Sequence, residues 1–124
     1  MNDARPLILV VEDDTDMREL MGIVLQGMDL EAKLAETADE ALAMCRDNPG
    51  LRVVLLDLGL PGMRPEDFIE SARRLQVGVS MKFILASGRD NLAQEARRLG
   101  ACDFIKKPFN LSELENAVDK ALED

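Results

Sequence analysis

The residues able to do chemistry are few, and most are acidic. Glu12, Asp13 and Asp14 run consecutively after one apolar stretch, Asp57 closes a second, Ser87 a third, and Lys107 follows a fourth. Three or four carboxylates brought into one crevice are electrostatically costly unless a cation offsets them. Oxygen donors with no soft ligand and no imidazole beside them suit Mg²⁺, with Mn²⁺ as a substitute. Lys107 adds a fixed positive charge that could meet an anionic ligand, and Ser87 adds a hydroxyl donor. A divalent ion, a lysine and a hydroxyl around one carboxylate make a setting for phosphoryl transfer. The carboxylate is then the nucleophile, and the cations take up charge on the transferring oxygens.

That chemistry requires the chain to bring these residues to one place. The sequence alternates short apolar runs with longer amphipathic ones. Leu7 to Val11 is continuous and apolar, as in a strand buried on both faces. Met17, Leu20, Met21, Val24, Leu25 and Met28 then form one helical stripe. A weaker strand is predicted from Ala32 to Ala35. Thr37 and Glu40 have capping-box spacing and open a helix over Ala38, Ala41, Leu42 and Cys45. Asn48-Pro49-Gly50 stops it.

Leu51 to Leu56 is a second strong strand, ending at Asp57. Gly59 to Pro65 contains two prolines and two glycines and reads as a loop, followed by a helix over Phe68, Ile69, Ala72 and Leu75. Phe83 to Ala86 is a third strong strand, ended by Ser87-Gly88. Leu92, Ala96 and Leu99 mark a helix closed by Gly100. Cys102 to Ile105 is a fifth strand, broken at Lys107-Pro108. Asn110 and Glu113 offer a last capping box before a stripe of Leu111, Leu114, Ala117, Val118, Ala121 and Leu122.

Five strands alternating with five helices predict an α/β fold, a doubly wound parallel sheet with helices on both faces. The functional crevice of such sheets lies at the carboxyl ends of the strands. Glu12-Asp13-Asp14, Asp57, Ser87 and Lys107 all fall at that edge.

Composition narrows the field. The 124 residues suit a single domain spanning 1–124, and 47% hydrophobic with 31% charged residues is a globular balance. A net charge of −9 repels phosphate backbones and anionic membranes, so neither nucleic acid nor membrane insertion is expected. No apolar run approaches the roughly 18 residues that span a bilayer. With no histidine in the chain, there is no Ser-His-Asp triad, no His-ligated zinc and no phosphohistidine formed here. Cys45 and Cys102 form no C-x-x-C and are expected to be buried free thiols, which fits a reducing cytoplasm.

Four stretches, each at a strand end, resemble one family. They are Val-Val-Glu-Asp-Asp at 10–14, Leu-Leu-Asp-Leu-Gly-Leu-Pro-Gly-Met at 55–63, Ala-Ser-Gly at 86–88 and Lys-Lys-Pro-Phe at 106–109. Together they are similar to the response-regulator receiver domains of two-component signalling, over essentially the whole chain. The resemblance implies a flavodoxin-like strand order 2-1-3-4-5, with Asp57 as the phosphoacceptor. It implies that Asp13 binds Mg²⁺ directly, Glu12 mostly through a water, and the backbone carbonyl of Gly59 completes the protein ligands beside Asp57.

The same resemblance has Ser87 and Lys107 meeting phosphoryl oxygens, a cis Lys107-Pro108 bond, and Phe104 as a switch aromatic that turns inward when Ser87 moves. The phosphoryl group would come from a histidine kinase or a histidine phosphotransfer protein. The signal would leave through a protein docked on the fourth helix, fifth strand and fifth helix. Such a domain catalyses its own phosphorylation and dephosphorylation without being a turnover enzyme in the usual sense.

Simpler readings stand beside these. Asp57 could cap a helix, but Leu58-Gly59-Leu60-Pro61 follows it. Glu12 and Asp14 could be acids favoured by a helix dipole, Ser87 a turn residue, Lys106 a solvated lysine and Phe104 ordinary core. Gly59 and Arg89 are expected to set the lifetime of an acyl phosphate, Gly59 because it offers no shade from water. The loop Met63-Arg64-Pro65-Glu66 departs from the family's small or acidic residues, so contacts there are not carried over. Alternatives are a receiver excised from a hybrid kinase or multidomain regulator, a phosphate-independent interaction module, and an aspartate-nucleophile phosphatase. The last normally carries a second aspartate where this chain has Gly59.

Overall fold

The computed structural model describes residues 5–75 and 81–123. The elements run β1 (Leu7–Val11), α1 (Thr15–Gly27), β2 (Glu31–Ala35), α2 (Ala38–Asp47), β3 (Leu51–Asp57), α3 (Pro65–Leu75), β4 (Lys82–Ser87), α4 (Leu92–Leu99), β5 (Asp103–Lys106) and α5 (Leu111–Leu122). Every strand pairing is parallel, in the order β2-β1-β3-β4-β5, so the expected doubly wound sheet is the one observed.

Alternation along the strands divides the core in two. Leu9, Val11, Val54, Leu56, Phe83 and Leu85 face one side, with Phe68, Ile69, Ala72, Leu92, Ala96 and Leu99 from α3 and α4. Ile8, Val10, Val53, Leu55, Ile84 and Ala86 face the other, with Met21, Leu25, Leu114 and Val118 from α1 and α5. Phe68 and Phe83 meet edge to face at 6.4 Å, a favoured geometry for aromatic rings. Gly22 lets α1 sit close to β2, since a Cβ there would lie 3.2 Å from Leu34.

Helix ends follow their sequence signals, with one shift. Asn110 and Glu113 form a reciprocal capping box on α5. On α2, Thr37 accepts the Glu40 N–H at 3.1 Å, but the Glu40 carboxylate reaches one residue further back, to the Glu36 N–H. Gly100 ends α4 at φ 73°, the left-handed conformation a Cβ disfavours.

The apolar stripes are wider than the surface the sheet covers, so Leu20, Leu75 and Leu111 are exposed instead of packed. β5 begins at Asp103, one residue later than expected, which leaves Cys102 outside the strand. Its thiol is exposed, contrary to expectation, while Cys45 is buried as expected.

Candidate functional site

Strand register brings the carboxyl ends together. Val11 pairs with Leu56, Asp57 with Ala86, and Ser87 with Lys106, so Glu12, Asp57, Ser87 and Lys107 share one edge. Three polar side chains are buried there, beside an otherwise apolar core: Glu12 at 2% exposure, Asp57 at 8% and Ser87 at 6%. Burying polar groups is unfavourable unless partners compensate.

Glu12 has a partner at every polar group. Its N–H donates to the Ala35 carbonyl at 3.1 Å, and its carboxylate accepts from the Asp14 N–H at 3.1 Å and from Lys107 Nζ at 2.7 Å. Lys107 Nζ also lies 3.5 Å from Asp57 Oδ1, which accepts the Gly59 N–H at 3.0 Å. Burial raises the Glu12 carboxyl above its usual range, the neighbouring Asp57 charge adds to this, and Lys107 only partly opposes it. Burial pulls the Lys107 ammonium down, but Glu12 and Asp57 outweigh that and hold it above its ordinary value.

Glu12, Asp13 and Asp57 each offer a carboxylate oxygen within 4.8 Å of the others. An all-oxygen, all-anionic set of this size fits a hard divalent cation. Asp14 lies outside the group. It stands at the N-terminus of α1, as its simpler reading had it, and caps the helix by accepting the Met17 N–H at 2.9 Å.

The remaining candidates fall around this centre. The Ser87 hydroxyl accepts the Arg89 N–H at 3.1 Å, and its carbonyl accepts the Lys107 N–H at 2.8 Å. The Lys107-Pro108 peptide is cis, as the resemblance implied. Gly59 is exposed, and a Cβ on it would stand 3.5 Å and 3.9 Å from the two Asp57 carboxylate oxygens. Arg89 is exposed, and with the Arg98 hydrogen bond as the main cause it helps hold the Glu95 carboxyl low.

Two expectations change. Phe104 is 38% exposed instead of buried, because it lies on β5, the edge strand, with no further strand beside it among the described residues. Lys106 is exposed as expected, but it is ion-paired with Asp90 instead of merely solvated. A residue not singled out from the sequence also enters the site: Arg18 donates to the Glu12 carbonyl at 2.8 Å. Its position four residues after Asp14, one helical turn above the cap, was the available signal.

Residues 8–119 match the family described as the response regulator receiver domain. The chain belongs to that family. Among curated relatives, this receiver is 32% identical to the C4-dicarboxylate transport transcriptional regulatory protein DctD of Pseudomonas aeruginosa, over 98% of this chain and 26% of DctD. It is 33% identical to sporulation initiation phosphotransferase F of Bacillus subtilis, over 93% of this chain and 92% of that protein. The receiver therefore spans about a quarter of one relative and nearly all of the other.

Two solved structures extend the likeness. A CheY-like receiver from Methanospirillum hungatei superposes with a TM-score of 0.84 at 30% identity, over 97% of this chain and 95% of that one. The receiver domain of NtrX from Brucella abortus gives 0.82 at 34% identity, over 94% and 98%. Among the described residues no helix is long and apolar enough to cross a membrane.

Proposed function

We propose that Asp57 is the phosphoacceptor of this receiver and that Glu12, Asp13, Asp57 and the Gly59 carbonyl hold Mg²⁺. The observation that carries this reading is Lys107 Nζ lying between two buried carboxylates, 2.7 Å from Glu12 and 3.5 Å from Asp57, beside the exposed Asp13. Because these 124 residues contain no histidine, the phosphoryl group comes from a histidine outside them, on another domain or another protein, of a kinase or a phosphotransfer protein.

An Asp57 oxygen attacks phosphorus as the P–N bond breaks, and the departing imidazole takes up a proton. Mg²⁺ supplies charge neutralisation for the transferring oxygens. Lys107 Nζ binds one phosphoryl oxygen, and the Ser87 hydroxyl leaves the Arg89 N–H to bind another. The vacated space admits Phe104, linking the site to the face formed by α4, β5 and α5, where a downstream protein docks. Water later attacks the phosphorus, releasing inorganic phosphate and restoring the Asp57 carboxylate.

Incubation with Mg²⁺ and acetyl phosphate, followed by intact mass, tests this. One added phosphoryl group that disappears in Asp57→Asn supports the assignment. A phosphoryl group that persists in Asp57→Asn, or none added by either acetyl phosphate or a cognate kinase, overturns it.

A further inference from the structure

The Glu12–Asp13 turn is held from a direction that the chemistry above leaves unused. Arg18 stands in the first turns of α1, and its half-buried side chain leans back toward the helix N-terminus, as helical side chains do. One guanidinium nitrogen donates to the Glu12 carbonyl at 2.8 Å, and the other reaches Thr15 Oγ1 at 3.4 Å. No other donor to that carbonyl is present among the described residues. Glu12 lies just past the end of β1, so the sheet ladder does not extend to its carbonyl.

That carbonyl belongs to the peptide plane joining Glu12 to Asp13. Holding it restricts ψ of Glu12 and φ of Asp13 together, since the peptide unit is planar. The Glu12 carboxylate is separately held by Asp14 and Lys107. The Asp13 carboxylate is exposed and has no donor of its own among the described residues, so its direction depends on the backbone that carries it.

We infer that Arg18 is a positioning residue for the divalent-cation site, aiming Asp13 through the Glu12 carbonyl. The inference rests on the proposal that Glu12, Asp13 and Asp57 hold Mg²⁺. Arg18 itself touches neither metal nor phosphoryl group.

Two possible roles for Arg18 predict opposite signs. As a mere positive charge beside an acidic site, it opposes a cation, and its removal tightens Mg²⁺ binding. As a tether, its removal lets the Asp13 carboxylate wander, and binding weakens. Loss of a partner that orients a ligand costs about 10- to 100-fold in metal affinity.

The test is isothermal titration of MgCl₂ into the full chain, wild type against Arg18→Met, which keeps an unbranched apolar stem. The expected result is about tenfold weaker binding in Arg18→Met, with the circular dichroism spectrum unchanged. Arg18→Ala, read in the same way, replaces it should the methionine variant fail to fold. Binding as tight as wild type, or tighter, overturns the inference while leaving the metal site standing. Wild-type protein that binds no Mg²⁺ overturns both.

Discussion

Glu12 carries a charge that its environment opposes. Its carboxyl is held above the usual range, so the folded protein takes up a proton there more readily than the unfolded chain does. The stability this gives is full below the ordinary value of 4.5 and is lost as pH rises through the higher folded value. In metal-free protein, the Tm advantage of Glu12→Gln over wild type should therefore grow as pH rises from 4.5 toward neutrality, read by circular dichroism melts in EDTA. Saturating Mg²⁺ should reverse the order, because only the wild type keeps all three carboxylates; binding at 100 times Kd is worth about 2.7 kcal/mol.

Gly59 belongs to the same scale. A side chain there stands over the Asp57 carboxylate and obstructs water. Gly59→Arg should slow loss of phosphate by about tenfold, or ~1.4 kcal/mol of barrier, whereas Arg89→Ala should hasten it. Both are followed by intact mass after the phosphodonor is removed. Unchanged lifetimes in both variants would exclude these two positions as determinants.

Among the elements, α5 and α4 differ in how they begin. Asn110 sits in extended backbone and completes a reciprocal capping box, so Asn110→Ala should cost about 1 kcal/mol in urea unfolding. Asn91 starts α4 at φ −99° and ψ 30° and makes no side-chain cap, so Asn91→Ala should cost little. Equal losses would show that capping is not what distinguishes the two helices. The asparagines look alike in sequence. Each has a capping-box residue three positions on, Glu113 after Asn110 and Gln94 after Asn91, so the spacing does not tell them apart.

For the molecule as a whole, Phe83 is the joint between the sheet and the α3–α4 layer. It is fully buried, meets Phe68 edge to face at 6.4 Å, and carries the Arg73 guanidinium 5.1 Å above its ring. Arg73 also donates to the Gly100 carbonyl at 3.2 Å, tying α3 to the end of α4. Phe83→Ala should cost about 3–5 kcal/mol by leaving a cavity the sheet cannot close. The reading is the midpoint of urea unfolding with its slope unchanged. A loss below about 1 kcal/mol would mean that the layer repacks.

Most of the architecture was legible because it depends on local pattern. Continuous apolar runs mark strands buried on both faces, and their alternation with helical stripes dictates a parallel sheet whose carboxyl edge carries Glu12, Asp57, Ser87 and Lys107. The missing histidine likewise follows from the sequence alone, and so does the need for a phosphoryl donor outside these residues if Asp57 is the acceptor.

What the tertiary structure decided is which side chain meets which. Lys107 lies nearer Glu12 than Asp57, across 95 positions of chain, Asp14 caps a helix, Arg18 holds the Glu12 carbonyl, and Cys102 and Phe104 lie exposed. Local periodicity places a residue on a face or at a strand end. The competition of several donors for one buried carboxylate depends on distances that exist only after four strands, β1, β3, β4 and β5, have been brought side by side.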